Sequence, residues 1–229
     1  MHKCLIFDAD DTLWENNVYF LRAIEEFLEV IADIAADREE ILRVLTQVER
    51  ELIPQGGYGT GNFLKALKET FRRFYAGADG AGTLSNIEEI GTRLRSHPMQ
   101  LLPGVSAILA ELRQKHRLMV FTKGEHGEQT SKVMRSGLQE YFDWVEIVRE
   151  KDTAAYHGLI KTRGLRPNRT VMIGNSPRSD VTPSLAAGLW AIYIPHPHTW
   201  DLEHEDVEHH PRLFKANSIH EVPALVERI

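Results

Sequence analysis

Cys4-Leu5-Ile6-Phe7-Asp8-Ala9-Asp10-Asp11-Thr12-Leu13 is an apolar run that stops abruptly on three carboxylates. A short apolar run bounded by polar residues fits a strand buried on both faces. Asp8 and Asp10 then stand where that strand ends, at the crevice in which open α/β sheets bind ligands. Two carboxylates this close repel each other and require a cation or a shared proton. A buried strand ending in paired acids is a poor arrangement for stability alone, so the stretch predicts a catalytic site.

Further apolar strand candidates follow at 117–122, 144–148, 170–173 and 190–194, and helical patterns occupy 126–136, 152–163 and 179–187. Strands alternating with helices predict a parallel, doubly wound sheet. The interval from about residue 15 to 115 is too long for one crossover, and its periodicity is helical. Apolar residues recur on one face over 18–35 (Phe20, Ile24, Phe27, Leu28, Ile31, Ile34) and over 38–52 (Ile41, Leu42, Leu45, Val48, Leu52). The same holds over 62–75 (Phe63, Leu64, Leu67, Phe71, Phe74), with a shorter stripe over 86–95. Gly56, Gly57, Gly59 and Gly61 form one break and Gly77, Gly80 and Gly82 another, while Pro98 and Pro103-Gly104 mark the return to the sheet. The expected fold is α/β: a doubly wound parallel Rossmann-like sheet built from 1–15 and 99–229, with an all-α helical domain inserted at 16–98.

The chain has 229 residues, 42% hydrophobic and 26% charged, which is ordinary for a globular protein with a sizeable core. A formal charge of -6 leaves no basic footprint, so nucleic acid is not an expected partner. No apolar run approaches the roughly 20 residues of a membrane span, and no membrane partner is expected. The first strand begins after His2 and Lys3, leaving no room for a leader peptide. The single cysteine, Cys4, excludes an intrachain disulfide framework and suits a reducing compartment. A cytoplasmic location follows as an expectation, with Cys4 in a packing role.

Four segments fall at the C-terminal ends of predicted strands. They are residues 8–12; Thr122, closing 118–124; Lys151, within 148–152; and Gly174-Asn175-Ser176-Pro177-Arg178-Ser179-Asp180. A nucleophile, a hydroxyl, a cation and a further polar cluster would meet at one sheet edge. With these four segments, in this order, the chain resembles the haloacid dehalogenase-like (HAD) superfamily. The first resembles its DxDxT hallmark, with Asp11 where many members have glycine. Thr122 resembles the second motif, Lys151 the third, and residues 174–180 the fourth, GDxxxxD. The resemblance covers the whole core, and the insertion at 16–98 stands where the family places a helical cap.

The resemblance implies an HAD-like phosphatase acting on a small phosphorylated metabolite. Asp8 would be the nucleophile that forms an aspartyl-phosphate, and Asp10 the general acid and base. Thr122 would hold phosphate oxygens, and Lys151 would offset repulsion between Asp8 and an anionic substrate. Two unit charges about 4 Å apart interact by roughly 4 kcal/mol at an effective dielectric of about 20, which is the penalty a cation removes. Mg²⁺ would be held by Asp8, Asp10, Asn175 and Asp180. Having Asp10 favours phosphoryl transfer over haloacid dehalogenation, which attacks carbon and needs neither that acid nor a metal. A phosphomutase or a non-catalytic phosphometabolite-binding protein are the other readings. Asn175 departs from the pattern, because the family usually has a metal-binding aspartate there.

Several residues have a plainer alternative. Asp180 is also placed to cap a helix, and Lys151 competes with Lys161 for the third motif. Lys123 is either a phosphate contact or a solvent-facing residue, and Asp11 is a turn residue rather than a direct ligand. Tyr58, in the glycine-rich break, is the leading aromatic candidate for substrate binding, ahead of Trp14 and Trp200. His196, His198, His204, His209 and His210 crowd the tail. The spacing from His204 to His209 is five, not the four that stacks two zinc ligands on a helix face, so a surface loop is expected. Monomer and homodimer are both open.

Overall fold

The computed structural model describes residues 2–33, 37–75 and 80–229. Among these, six strands form one sheet: β1 (Cys4–Phe7), β2 (Arg117–Lys123), β3 (Trp144–Val148), β4 (Thr170–Gly174), β5 (Trp190–Tyr193) and β6 (Leu213–Lys215). The helices are α1 (Asn17–Val30), α2 (Arg38–Gly56), α3 (Thr60–Phe74), α4 (Ala81–Arg95), α5 (Val105–Arg113), α6 (His126–Ser136), α7 (Thr153–Arg163), α8 (Thr182–Ala186) and α9 (Val222–Glu227).

The strand order is β3-β2-β1-β4-β5-β6, and every pairing is parallel. β1 lies at the centre because its side chains are apolar on both faces. Leu5 and Phe7 join one cluster with Val120, Ile173, Val105 and Leu109, while Cys4 and Ile6 join another with Met119, Met172 and Tyr156. Such a strand is stable only between two helical layers. Burial pushes the Cys4 thiol up to about 11, which leaves it a packing group. From β1 the chain builds outward through β2 and β3, then returns to lay β4 on the other side of β1. That reversal opens a crevice beyond the C-terminal ends of β1 and β4. The Asp8 amide donates to the Ile173 carbonyl at 2.9 Å, carrying the β1–β4 pairing up to the first carboxylate.

The chain divides into two compact units, one running to Asn17 and resuming over Met99–Ile229, the other comprising Val18–Pro98. In the second unit Phe27, Leu45, Val48, Leu67, Phe71, Ile87 and Ile90 form one core contributed by α1 to α4. α3 carries the widest apolar stripe, with Phe63, Leu64, Leu67 and Phe71 all buried. Gly91 of α4 faces Leu64 so closely that any Cβ there would collide with it. In the first unit the two connecting segments pair antiparallel. Trp14 bridges Leu101, the Glu15 amide donates to Gln100 O at 2.9 Å, and Leu102 to Leu13 O at 3.0 Å.

Some boundaries differ from expectation. The helix expected over 18–35 ends at Val30, and 31–33 form a turn. Ile34 and Gly77 lie outside the described residues. The helix expected over 179–187 is split into a π-type turn, Pro177–Val181, and α8. The wide turn arises because the Val181 amide reaches back to Ser176 O at 3.1 Å. α5, β6 and α9 are elements the sequence patterns above do not single out. β6 and α9 are too short for periodicity to register.

Because Phe7 is fully buried at the centre of the sheet, Phe7→Ala is expected to cost about 3–5 kcal/mol. Urea unfolding followed by circular dichroism measures this as a lower midpoint with an unchanged slope.

Candidate active site

The crevice between β1 and β4 is lined by the residues that leave those strands. Asp8 follows β1, then residues 9–14 turn sharply: Thr12 and Leu13 donate to Ala9 O, and the Asp11 amide to Trp14 O at 2.8 Å. The turn requires a left-handed residue, and Asp11 takes it with φ 60°. Aspartate tolerates this conformation better than most residues, which explains how it stands in a position where glycine is common. Its carboxylate accepts from the amides of Asn16 (2.8 Å) and Asn17 (3.1 Å), where α1 begins. Burial raises the Asp11 carboxyl to about 7. Asp11 therefore holds the left-handed position of the turn.

Lys151, at the end of the loop after β3, is fully buried. Its Nζ lies 2.6 Å from Asp8 Oδ1 and 2.5 Å from Asp180 Oδ1, and it donates to Phe121 O at 2.9 Å. Burial alone would drive the ammonium to lose its proton, but Asp180 and Asp8 outweigh it and hold its pKa above the ordinary lysine value. Asp8 is pushed up to about 7, first by burial and then by the neighbouring Asp180 charge, against the pull of Lys151. Asp180 is raised as well, again chiefly by burial. Lys161, the competitor for this position, is exposed.

The π-type turn aims Asp180 back at the sheet, where its Oδ2 accepts from the Ser176 amide at 2.9 Å. It packs so close to Gly174 that a Cβ there would overlap the carboxylate. Thr12 Oγ1 stands 3.2 Å from both Asp8 Oδ2 and Asn175 Oδ1. Asn175 Nδ2 donates to Thr199 Oγ1 at 3.0 Å, which turns the amide oxygen toward Thr12. Thr122 is buried near the C-terminal end of β2, two positions beyond the Val120 that pairs with Phe7.

Asp10 is held differently. Oδ1 accepts from Trp14 Nε1 (2.7 Å) and Lys132 Nζ (3.1 Å), and Oδ2 from Gln129 Nε2 (2.9 Å) and Lys132 Nζ (3.0 Å). Burial raises its proton affinity, but the Lys132 charge and these hydrogen bonds outweigh it and hold the carboxyl below its ordinary value.

The fold therefore gathers Asp8, Asp10, Lys151, Asn175 and Asp180 at one end of β1 and β4, with Thr122 beside them on β2. Lys123 does not face solvent: its Nζ contacts Ser179 Oγ at 2.8 Å and Glu203 Oε1 at 2.5 Å. Tyr58 lies half-buried in the bend between α2 and α3, in the other unit. Trp14 is not a pocket residue but a fully buried member of the core. His204 and His209 are exposed as expected, but their segment is more than a surface loop. It contributes Thr199, buried Glu203 and His196, and Asp11, Glu15 and His196 offer ligand atoms within 4.8 Å of one another.

The sequence pattern of the haloacid dehalogenase-like hydrolases matches residues 2–188. The chain belongs to that family. A haloacid dehalogenase-like hydrolase from Xanthomonas campestris superposes with a TM-score of 0.88 at 31% identity, covering 99% of this chain and 91% of its own. The human N-acylneuraminate-9-phosphatase is 25% identical over 99% of this chain and 94% of its own. A glyceraldehyde 3-phosphate phosphatase from Methanothermobacter thermautotrophicus is 27% identical over 85% of this chain and 86% of its own.

For this haloacid dehalogenase-like hydrolase, motif reasoning missed Gln129 and Lys132 on α6, and Thr199 and Glu203 in the histidine-rich segment. Gln129 and Lys132 follow Thr122 closely enough to have been candidates. Glu203 carries no local signal, since a glutamate in a polar stretch reads as solvated surface.

Lys151→Met leaves two buried carboxylates without their cation, and should cost about 3–5 kcal/mol at pH 8. Asp8 is raised above its ordinary 3.8 to about 7 in the folded protein. The folded form thus binds more protons there, so this contribution is full below about 4 and is lost as pH rises through 7. The deficit of the variant, with no Lys151 to oppose the rise, should shrink markedly at pH 5. Urea titrations of both proteins at the two pH values test this, and an equal deficit at each would contradict it.

Proposed function

We propose that the protein is a Mg²⁺-dependent phosphohydrolase that cleaves small phosphate monoesters through an aspartyl-phosphate on Asp8. The observation that carries the reading is the pairing of two carboxylates of unlike environment, Asp8 against Lys151 and Asp10 against Lys132. Support also comes from similarity, over 99% and 85% of this chain, to an N-acylneuraminate-9-phosphatase and a glyceraldehyde 3-phosphate phosphatase.

The donor set fits a hard divalent cation, because it offers only oxygens: the Asp8 and Asp180 carboxylates, Asn175 Oδ1 and the Asp10 carbonyl. Two buried carboxylates face one ammonium, leaving a net negative charge. Asp180 Oδ1 pairs with Lys151 Nζ at 2.5 Å. Mg²⁺ bound there would neutralise charge on the transferring phosphoryl group and lower the proton affinity of Asp8.

The remaining chemistry belongs to the side chains. An Asp8 carboxylate oxygen forms a bond to phosphorus while the ester P–O bond breaks, and Asp10 gives its proton to the departing oxygen. Asp10, now a carboxylate, then takes a proton from water as the water oxygen bonds to phosphorus and the Asp8–phosphorus bond breaks. Lys151 and Thr122 hold the phosphate oxygens, and Lys123 stands beside them. Tyr58 is retained as a proposed substrate contact from the helical insertion, 16–98, acting as a cap. Asp10 separates this reading from dehalogenation, in which halide leaves without a proton.

Phosphate release should be measured on a panel led by N-acylneuraminate 9-phosphate and glyceraldehyde 3-phosphate, with and without Mg²⁺. The expected result is metal-dependent release that Asp8→Asn abolishes. Isomerised ester without free phosphate would establish a mutase instead. No turnover of any ester by the folded protein would sink the proposal.

A further inference from the structure

Asp10 sits in a cradle that its position at the crevice does not by itself require. The Asp10 side chain keeps 22% of its surface exposed. Here three buried donors, Trp14, Gln129 and Lys132, all spend hydrogen bonds on its two oxygens.

Each donor is itself fixed. Lys132 Nζ also donates to Asn16 Oδ1 at 2.7 Å and lies 3.7 Å from Glu128. Gln129 Nε2 also donates to Lys123 O at 3.2 Å, and its side chain packs on Gly124 where a Cβ would intrude. Trp14 is clamped in the core. Four hydrogen bonds from rigid donors leave the carboxylate one orientation, and proton transfer depends on orientation within a few tenths of an ångström.

We propose that Lys132, with Gln129 and Trp14, is a positioning residue that sets the orientation from which Asp10 transfers its proton. The inference rests on Asp10 being the general acid of the proposed phosphatase. It concerns α6, which contributes nothing else to the chemistry described above.

Leaving-group dependence separates positioning from a structural role. kcat/KM covers the steps up to departure of the leaving group. An alkyl phosphate needs a proton for that departure, whereas p-nitrophenyl phosphate releases a stable phenolate with little help. For Lys132→Met, kcat/KM on an alkyl ester should fall about tenfold to a hundredfold, part of the roughly 10²–10⁴ that a general acid supplies. On p-nitrophenyl phosphate it should fall less than about threefold by the same reasoning. Asp10→Asn should show the same pattern more strongly, and Lys132→Arg, which keeps the charge, should recover most of the alkyl activity. Gln129→Leu removes one donor without removing a charge and should give a smaller effect of the same kind. It also serves if Lys132→Met fails to fold.

Equal losses on both esters, or a gain on the alkyl ester, would overturn the inference while leaving the phosphatase reading intact. A wild-type protein that cleaves neither ester would overturn that reading instead.

Discussion

The contact on which the site depends is the buried ammonium of Lys151 between Asp8 and Asp180. Bringing two carboxylates into a closed crevice is prohibitive unless a cation meets them. Lys151 meets that requirement only in part, since one positive charge faces two negative ones. The surplus negative charge supports the proposed binding of a divalent cation there. Burial first, and then the Asp180 charge, raises the Asp8 carboxyl. In the proposed mechanism the same three residues set both stability and chemistry.

The rest of the fold brings those residues together from distant parts of the chain. Asp8 comes from β1, Lys151 from the loop after β3 and Asp180 from the turn after β4. The reversal of strand order beside β1 is what makes their ends converge. Small devices complete the placement. Gly174 yields its Cβ volume to Asp180, and the π-type turn directs that aspartate inward. Thr199 turns Asn175 so that its oxygen faces Thr12. In the proposed metal site, an amide oriented in this way would still offer an oxygen donor, without the charge of the usual carboxylate.

The two acids of the first motif are separated by one residue and by opposite surroundings. Asp8 lies in a buried site where burial and Asp180 favour its neutral form, against the pull of Lys151. Asp10 is surrounded by donors that favour its charged form. Environments that push two carboxyls apart are the usual basis for assigning them different work. The proposed roles require the reverse states, so bound Mg²⁺ would have to draw the proton from Asp8 and the phosphate dianion would have to raise the proton affinity of Asp10. The proposed role of α6 follows from asking what maintains the second environment.

Much of this architecture was legible in the sequence because it depends on local periodicity. A central strand buried on both faces must be apolar throughout, so β1 and its abrupt acidic end were visible without coordinates. The alternation of strands with helices fixed the parallel sheet, and motif order placed Asp8, Thr122, Lys151 and the 174–180 segment at one edge. Other features were decided only in three dimensions, because they arise from contacts between residues far apart in the chain. Lys132 and Gln129 look like ordinary helix-surface residues until α6 lays them against Asp10. Glu203 looks like solvated surface until its segment folds over Lys123, Ser176 and Ser179. Trp14 looks like a pocket aromatic until the core closes over it. A carboxylate's environment is a property of everything within a few ångströms of it, and tertiary packing alone determines which residues those are.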